Sequence, residues 1–326
     1  MNTKLCIAAL LLCTIFGCID GFSTLPNYVS QVSSLKDSSI RRHLSSDKDQ
    51  GGGISEDDFM SSLRSRMDQY NERANTLPLV VLDSMLPRQV LELQVQNPIF
   101  LDLIRTVVSE EEPRFGMLGM ARLSTGEYVH LKDGVEVQVL GTPEVVRFSD
   151  GKSDDGIKLK IQAGRRFRIK DNVANNPQGW TEARVEFLDS SEEELKEESE
   201  GEDRMSLARA ISKARAFTNA NTIHMEEKEL VPLERWIELA RKNERQIGQI
   251  NRLLKDLGEI PPIEEPSELA FWIGALINPI PALGVAMEIR PALLTAKTAE
   301  ERVDVALQGI LRSIKHMDGT QPMFTK

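Results

Sequence analysis

Residues 156–188 read GIKLKIQAGRRFRIKDNVANNPQGWTEARVEFL, and this stretch decides the fold. Strands are predicted over 157–169 and 180–188, divided by a turn at 175–179 where Asn175, Asn176, Pro177 and Gly179 gather. Ala183, Val185 and Phe187 alternate with polar residues, which places one face inward. In the first strand the same alternation turns Phe167 inward and leaves Arg166 and Arg168 on a solvated face.

Working outward, further strands are expected over 115–123, 135–140 and 145–148, with Val135, Val137 and Val139 in strict alternation. Turns are expected at Ser124-Thr125-Gly126, Asp133-Gly134 and Asp150-Gly151. Several strands joined by such short connections make a barrel or a closed, strongly bent sheet. Two short β-like runs, 77–82 and 90–95, precede it on either side of Pro87, and Asn97-Pro98 opens a helix through about Val108. Ser55 is an N-cap candidate, followed by Glu56, Asp57 and Asp58 in a first turn, and Phe59, Leu63 and Met67 make one apolar stripe of a docking helix.

Residues 190–203 carry eight acids and one lysine and should separate two regions, because they cannot bury enough apolar surface to fold. They are read as a solvated linker, with Ser190, Ser191 and Ser199 as possible phosphorylation sites. Beyond them the pattern is helical. Leu207, Ile211, Ala214 and Phe217 form one stripe. Leu233, Ile237 and Ala240 form another, continued by Ile247, Ile250, Leu254 and Leu257 up to Gly258 and the Pro261-Pro262 stop. Ser267 is expected to cap an apolar helix through Ile277, and Thr298 with Glu301 forms a capping box before 303–314.

The 326 residues are 40% hydrophobic and 28% charged, ordinary for a chain with a real core. A formal charge of -10 argues against a nucleic-acid surface, which needs clustered Lys and Arg. Lys4 followed by the apolar run 5–16 has signal-peptide form and is short for a bilayer span, so no stable membrane insertion is expected after its removal. Cys6, Cys13 and Cys18 all lie within the targeting segment 1–21, leaving a mature chain with neither disulfides nor thiolate zinc sites. Gly21-Phe22-Ser23-Thr24-Leu25-Pro26 resembles the bipartite plastid presequence of algae with complex red-derived plastids. Entry to the secretory pathway is expected, with the plastid, secretion or an endomembrane lumen as destinations.

A wider resemblance rests on pieces that recur in one order. They are Leu77-Pro78-Leu79, Leu86-Pro87, Val90-Leu91-Glu92-Leu93, Asn97-Pro98-Ile99-Phe100 and Arg114-Phe115-Gly116. Gly164-Arg165-Arg166-Phe167-Arg168-Ile169 and Ala183-Arg184-Val185-Glu186-Phe187-Leu188-Asp189 follow, then Ala270-Phe271-Trp272 and Glu300-Glu301-Arg302. Together they resemble the Lon N-terminal, substrate-binding domain family, here stand-alone. The resemblance implies an α+β fold, a PUA-like β-barrel followed by an α-helical bundle, in a module that binds polypeptides.

The expected organisation is a signal peptide over 1–21, a disordered transit-like or linker segment over 22–54 and an N-terminal helix over 55–76. The β-barrel follows over 77–189, the acidic linker over 190–203, a helical subdomain over 204–317 and a flexible tail over 318–326.

Catalytic machinery is not found. Gly151-Lys152-Ser153 mimics the end of a phosphate-binding loop, but Val146 stands where its first glycine is required, so it reads as a turn. Lys132-Asp133-Gly134 mimics part of the peptidase signature, but Val135-Glu136-Val137 follows where a nucleophilic serine should be, and this too reads as a turn. His43, His130, His224 and His316 are scattered, and residues 150–156 lack the ligand spacing of a calcium loop. No catalytic residue, metal or cofactor is assigned. An apolar groove where barrel meets helices is the expected binding site, with Phe115, Phe167, Trp180 and Trp272 as candidate polypeptide contacts. Polypeptide clients, or a protease or chaperone partner, are the expected partners; the alternative is an assembly protein docking through its helical bundle.

Overall fold

The computed structural model describes residues 60–67, 75–110, 112–122, 128–146, 156–188, 204–218, 231–280 and 283–320. The signal and presequence-like segments, Ser55, Phe59, the turns at 124–126 and 150–151, the acidic run and His224 lie outside them. The chain divides into two compact units, Met1–Arg66 and Met67–Lys326. Residues 60–67 are helical, with Met60, Leu63 and Met67 exposed.

The second unit begins with six strands: β1 (Thr76–Leu82), β2 (Val90–Val95), β3 (Arg114–Arg122), β4 (Tyr128–Val146), β5 (Gly156–Asn175) and β6 (Thr181–Leu188). β5 is long enough to serve two partners on one edge. Its first part pairs with β2, from Ile157 opposite Val95 to Gln162 opposite Val90. Its second part pairs with β6, from Arg166 opposite Leu188 to Asn175 opposite Thr181. β4 runs along the other edge, and β3 and β1 complete the circuit back to β6, so β1, β3, β4, β5 and β6 close into a barrel. Only the β1–β3 pairing is parallel among these ladders. Closure removes the sheet edges that would otherwise expose unpaired backbone.

Two expected features of the sheet are different. The runs 135–140 and 145–148 are not separate strands: β4 is continuous through Val146, with an irregularity between Leu140 and Glu144. Asp133-Gly134 is not a turn but part of the same strand, Gly134 pairing with both Leu118 and Phe167. The glycine serves close packing there. A Cβ at 134 would lie 2.5 Å from the Met117 carbonyl oxygen and 2.8 Å from the Phe167 ring. Asp133 accepts two hydrogen bonds from Arg168, at 2.6 and 3.1 Å.

The helices are α1 (Pro98–Val108), α2 (Arg204–Thr218), α3 (Pro232–Lys242), α4 (Gln249–Leu257), α5 (Pro266–Ile277), α6 (Arg290–Thr295) and α7 (Ala299–Met317). The Asn97 side chain caps α1 by accepting from the Phe100 N–H, ahead of Pro98 at the first helical position. Thr298 caps α7 in the same way through the Glu301 N–H. The Glu301 carboxylate reaches back to the Lys297 N–H at 2.8 Å, one residue before the usual partner of a capping box.

The long stripe expected from Leu233 to Leu257 is interrupted. α3 ends at Lys242, and α4 begins only after Gly248, whose φ of 78° is left-handed. The Glu244 carboxylate accepts from the Gly248 and Ile250 N–H groups and so takes over the start of α4, while Ile247 points fully into solvent. Ser267 is not the cap of α5. Pro266, with its φ already set, starts that helix, and the Ser267 hydroxyl accepts instead from Arg302 at 2.9 Å.

Every residue of α5 from Leu269 to Ile277 is buried, the behaviour of a helix covered on all sides. α7 packs on it, and Leu86 and Leu293 close around Gly274 so tightly that a Cβ there would meet them at 2.8 and 2.2 Å. The acidic run therefore does not mark a boundary between two cores. One apolar cluster runs from Val135, Val137 and Ile161 in the barrel through Phe271 and Trp272 to Val303 and Ile310 in α7. A second, smaller cluster gathers Leu77, Leu79, Leu118, Phe167, Ala183 and Val185.

Candidate functional site

A cleft of about 600 Å³ opens where the barrel meets the start of α5. Its construction begins with the turn before β2. Gln89 N–H bonds the Leu86 carbonyl at 3.2 Å, Pro87 takes the second position and Arg88 the third with φ 70°. This is the form of a type II turn, whose third position normally belongs to glycine. Arg88 is the one non-glycine residue with positive φ among the described residues. The conformation costs about 1 kcal/mol relative to a right-handed one. Pairing holds it in place: Arg88 N–H donates to the Ala163 carbonyl and Ala163 N–H to the Gln89 carbonyl, both at 2.8 Å.

The floor is a β-bulge. Val135 pairs with Arg166 and Val137 with Ala163, so Gly164 and Arg165 together face the single residue Glu136. The extra residue bends β5 and aims Arg165 at the Glu136 carboxylate, to which it donates from Nε at 2.9 Å and from its terminal nitrogen at 3.2 Å. Arg114 of β3 donates to the same carboxylate at 2.9 Å. Glu136 is thus clamped between two guanidinium groups. Arg165 also lies over the Phe187 ring, 3.9 Å from its centre.

The bulge also decides the fate of Arg166. It is not on a solvated face, as simple alternation requires, but 97% buried with its guanidinium 4.5 Å from the centre of the Phe271 ring. Phe271 lies on α5, and the helix covers that face of the strand. On the opposite lip Arg88 approaches Glu268 at 4.0 Å and donates to the Glu259 carbonyl at 3.0 Å. Gln89 lies beneath and joins the two halves. Its side-chain oxygen accepts from the Leu86 N–H at 2.9 Å, and its amide nitrogen donates to the carbonyls of Asn278 at 2.8 Å and Ala275 at 3.3 Å.

The four aromatic candidates lie elsewhere than on a groove surface. Phe115 and Phe167 are fully buried, Trp272 is buried within α5, and Trp180 is buried at the start of β6. Phe115 packs edge-on against Phe100 of α1 at 6.0 Å, and the Trp180 indole N–H donates to Glu182 at 2.9 Å. They build the core, since large apolar rings gain most where water is excluded. None presents a face to a polypeptide in this structure, and the cleft is polar where an apolar groove was expected. Its charged lining is Arg88, Glu112, Arg114, Glu136, Arg165, Arg166 and Glu268.

Signals for this site existed in the sequence. Leu86-Pro87-Arg88-Gln89 is a proline turn with arginine in the glycine position, and Gly164 inside a strand pattern announces a bulge. Among the described residues no group of three or more His, Cys, Asp or Glu is placed to hold a metal ion. No helix among them is long and apolar enough to cross a membrane.

The family described as the ATP-dependent protease La (LON) substrate-binding domain matches residues 76–310. Among solved structures, the chain is similar to the Lon N-terminal domain protein from Xanthomonas campestris, with 16% identity over 72% of this chain and 97% of that one, and a TM-score of 0.37. It is similar also to the N-terminal domain of the Mycobacterium avium complex Lon protease, with 17% identity over 72% and 96% of the two chains, and the same TM-score. No curated protein matches. Because the family match takes in the barrel, the cleft and most of the helical region, this chain belongs to the Lon substrate-binding domain family.

Proposed function

We propose that this protein binds polypeptides at the seam between barrel and helices, without catalysing a reaction on them. Membership in a substrate-binding domain family supports the polypeptide-binding role, and the domain of that family is non-catalytic. The observation that carries the reading is the coincidence of the matched span, residues 76–310, with the elements that wall the cleft. Binding is independent of ATP, since Val146 stands where a phosphate-binding loop would need its first glycine.

In the cell the protein acts as an adaptor or accessory factor of organellar protein quality control, presenting clients to a protease or chaperone. The apolar run 5–16 followed by Gly21-Phe22-Ser23-Thr24 supports delivery through the secretory pathway, with the plastid as destination. Nucleic acid is disfavoured as a partner by the formal charge of -10.

The test is binding of a permanently unfolded polypeptide, such as reduced and carboxymethylated lactalbumin, beside its native form, followed by sedimentation in the absence of nucleotide. The proposal expects complex formation with the unfolded form alone. Failure to bind either form overturns it, and recovery from native tissue of one stoichiometric partner without clients favours assembly through the helices.

A further inference from the structure

We infer that the cleft recognises a single carboxylate group of the bound polypeptide, with Arg88 as the residue that selects it. The inference rests on the polypeptide-binding reading and adds the chemistry of the group bound. Among the described residues four arginines and three glutamates line the cleft, a basic concentration in a chain that is strongly acidic as a whole. A phosphate dianion meets stronger repulsion than a carboxylate from Glu112, Glu136 and Glu268, and that repulsion is felt more strongly in a partly enclosed cleft than in open water.

The cleft already shows the geometry. Arg114 and Arg165 hold the Glu136 carboxylate from two sides, the planar fork that suits carboxylates. Arg88 supplies the independent observation. It sits in a conformation that glycine adopts freely, its side chain is about one third exposed, and while one terminal nitrogen donates to the Glu259 carbonyl at 3.0 Å the other stands 4.0 Å from the Glu268 carboxylate. A turn built only for stability would place glycine there. Retaining arginine keeps a guanidinium at the lip, where an incoming carboxylate displaces the loose contact with Glu268.

Arg88→Gly separates the two roles of this residue. It relieves the left-handed backbone and removes the guanidinium, so the melting temperature is expected within about 2 °C of the parent or above it. Fluorescence anisotropy with the full chain then compares a labelled, unstructured peptide carrying one internal Glu and a free C-terminus with four relatives: C-terminal amide, Glu→Gln, both changes together, and phosphoserine in place of Glu. Losing one charge-assisted pair is expected to weaken binding of the parent peptide by about tenfold in Arg88→Gly. Arg312→Gln on the exposed side of α7 is expected to change nothing.

Loss of binding with the amide assigns the carboxylate to the chain terminus, and loss with Glu→Gln assigns it to a side chain. Equal binding of a peptide lacking both carboxylates, unchanged affinity in Arg88→Gly, or preference for phosphoserine overturns the inference while leaving polypeptide binding intact. Absence of binding by the parent protein to every peptide and to unfolded lactalbumin overturns both.

Discussion

Replacing Gln89 by Ala tests whether the barrel and the helical region are held as one cooperative structure. The side chain is 98% buried and makes one bond to the turn and two to the end of α5. Its removal strands the Leu86 N–H and the Asn278 carbonyl away from water, at about 1–3 kcal/mol each. The 3.3 Å bond to Ala275 is long and adds little. Release of the glutamine rotamers returns about 1.5 kcal/mol. The net expected loss is about 0.5–4.5 kcal/mol, or roughly 1–18 °C in melting temperature for a unit of this size. Gln89→Met fills the space without making the bonds and is expected to lose about as much, which separates hydrogen bonding from cavity formation. Urea denaturation followed by far-ultraviolet circular dichroism and by tryptophan fluorescence reads both regions, since Trp180 lies at β6 and Trp236 and Trp272 lie in α3 and α5. The two signals should shift together. A loss below about 0.5 kcal/mol, within ordinary surface-substitution scatter, would refute the reasoning.

Two further expectations concern the core and the surface. Gly134→Ala drives a methyl group against the Met117 carbonyl oxygen, a backbone atom with no rotamer to yield, and should cost at least about 2 kcal/mol in the same denaturation assay. On the helical side, the hydrogen bond from Lys213 holds the Glu300 carboxyl below the ordinary glutamate value of 4.5; burial opposes this and Arg209 adds to it. Hydrogen bonds to Asp304 and then Glu300 hold Lys213 above 10.5, against the pull of burial. The Glu300 contribution is present above about pH 4.5 and is lost as pH falls through its lowered folded value; the Lys213 contribution is present below pH 10.5 and is lost as pH rises through its raised one. Glu300→Gln should therefore lower the urea midpoint near pH 7, and the gap to the parent should narrow as pH falls towards 3.

Much of the fold was legible because its signals are local. Asn97-Pro98 opened α1, Thr298 capped α7, and the alternation at Val135, Val137 and Val139 described a buried strand face. The errors came where tertiary contacts override local pattern. Asp133-Gly134 has the composition of a turn, yet glycine is needed there for the close approach of Phe167 and the Met117 backbone, and Arg168 satisfies the aspartate. Arg166 should face water by alternation, but a bulge and the covering α5 bury it against Phe271. The site suffered most from this. Aromatic residues suggested a binding surface, whereas large rings are also the best core material, and the polar cleft is assembled from a turn, a bulge and a helix start distant in sequence.

The most direct test of polypeptide binding at the seam is hydrogen exchange of the full chain with and without saturating unfolded lactalbumin. The account predicts added protection of the backbone N–H groups at 88–92 and 162–166 and in the first turn of α5. Protection confined to α2 and the outer face of α7, with the cleft unchanged, would contradict it.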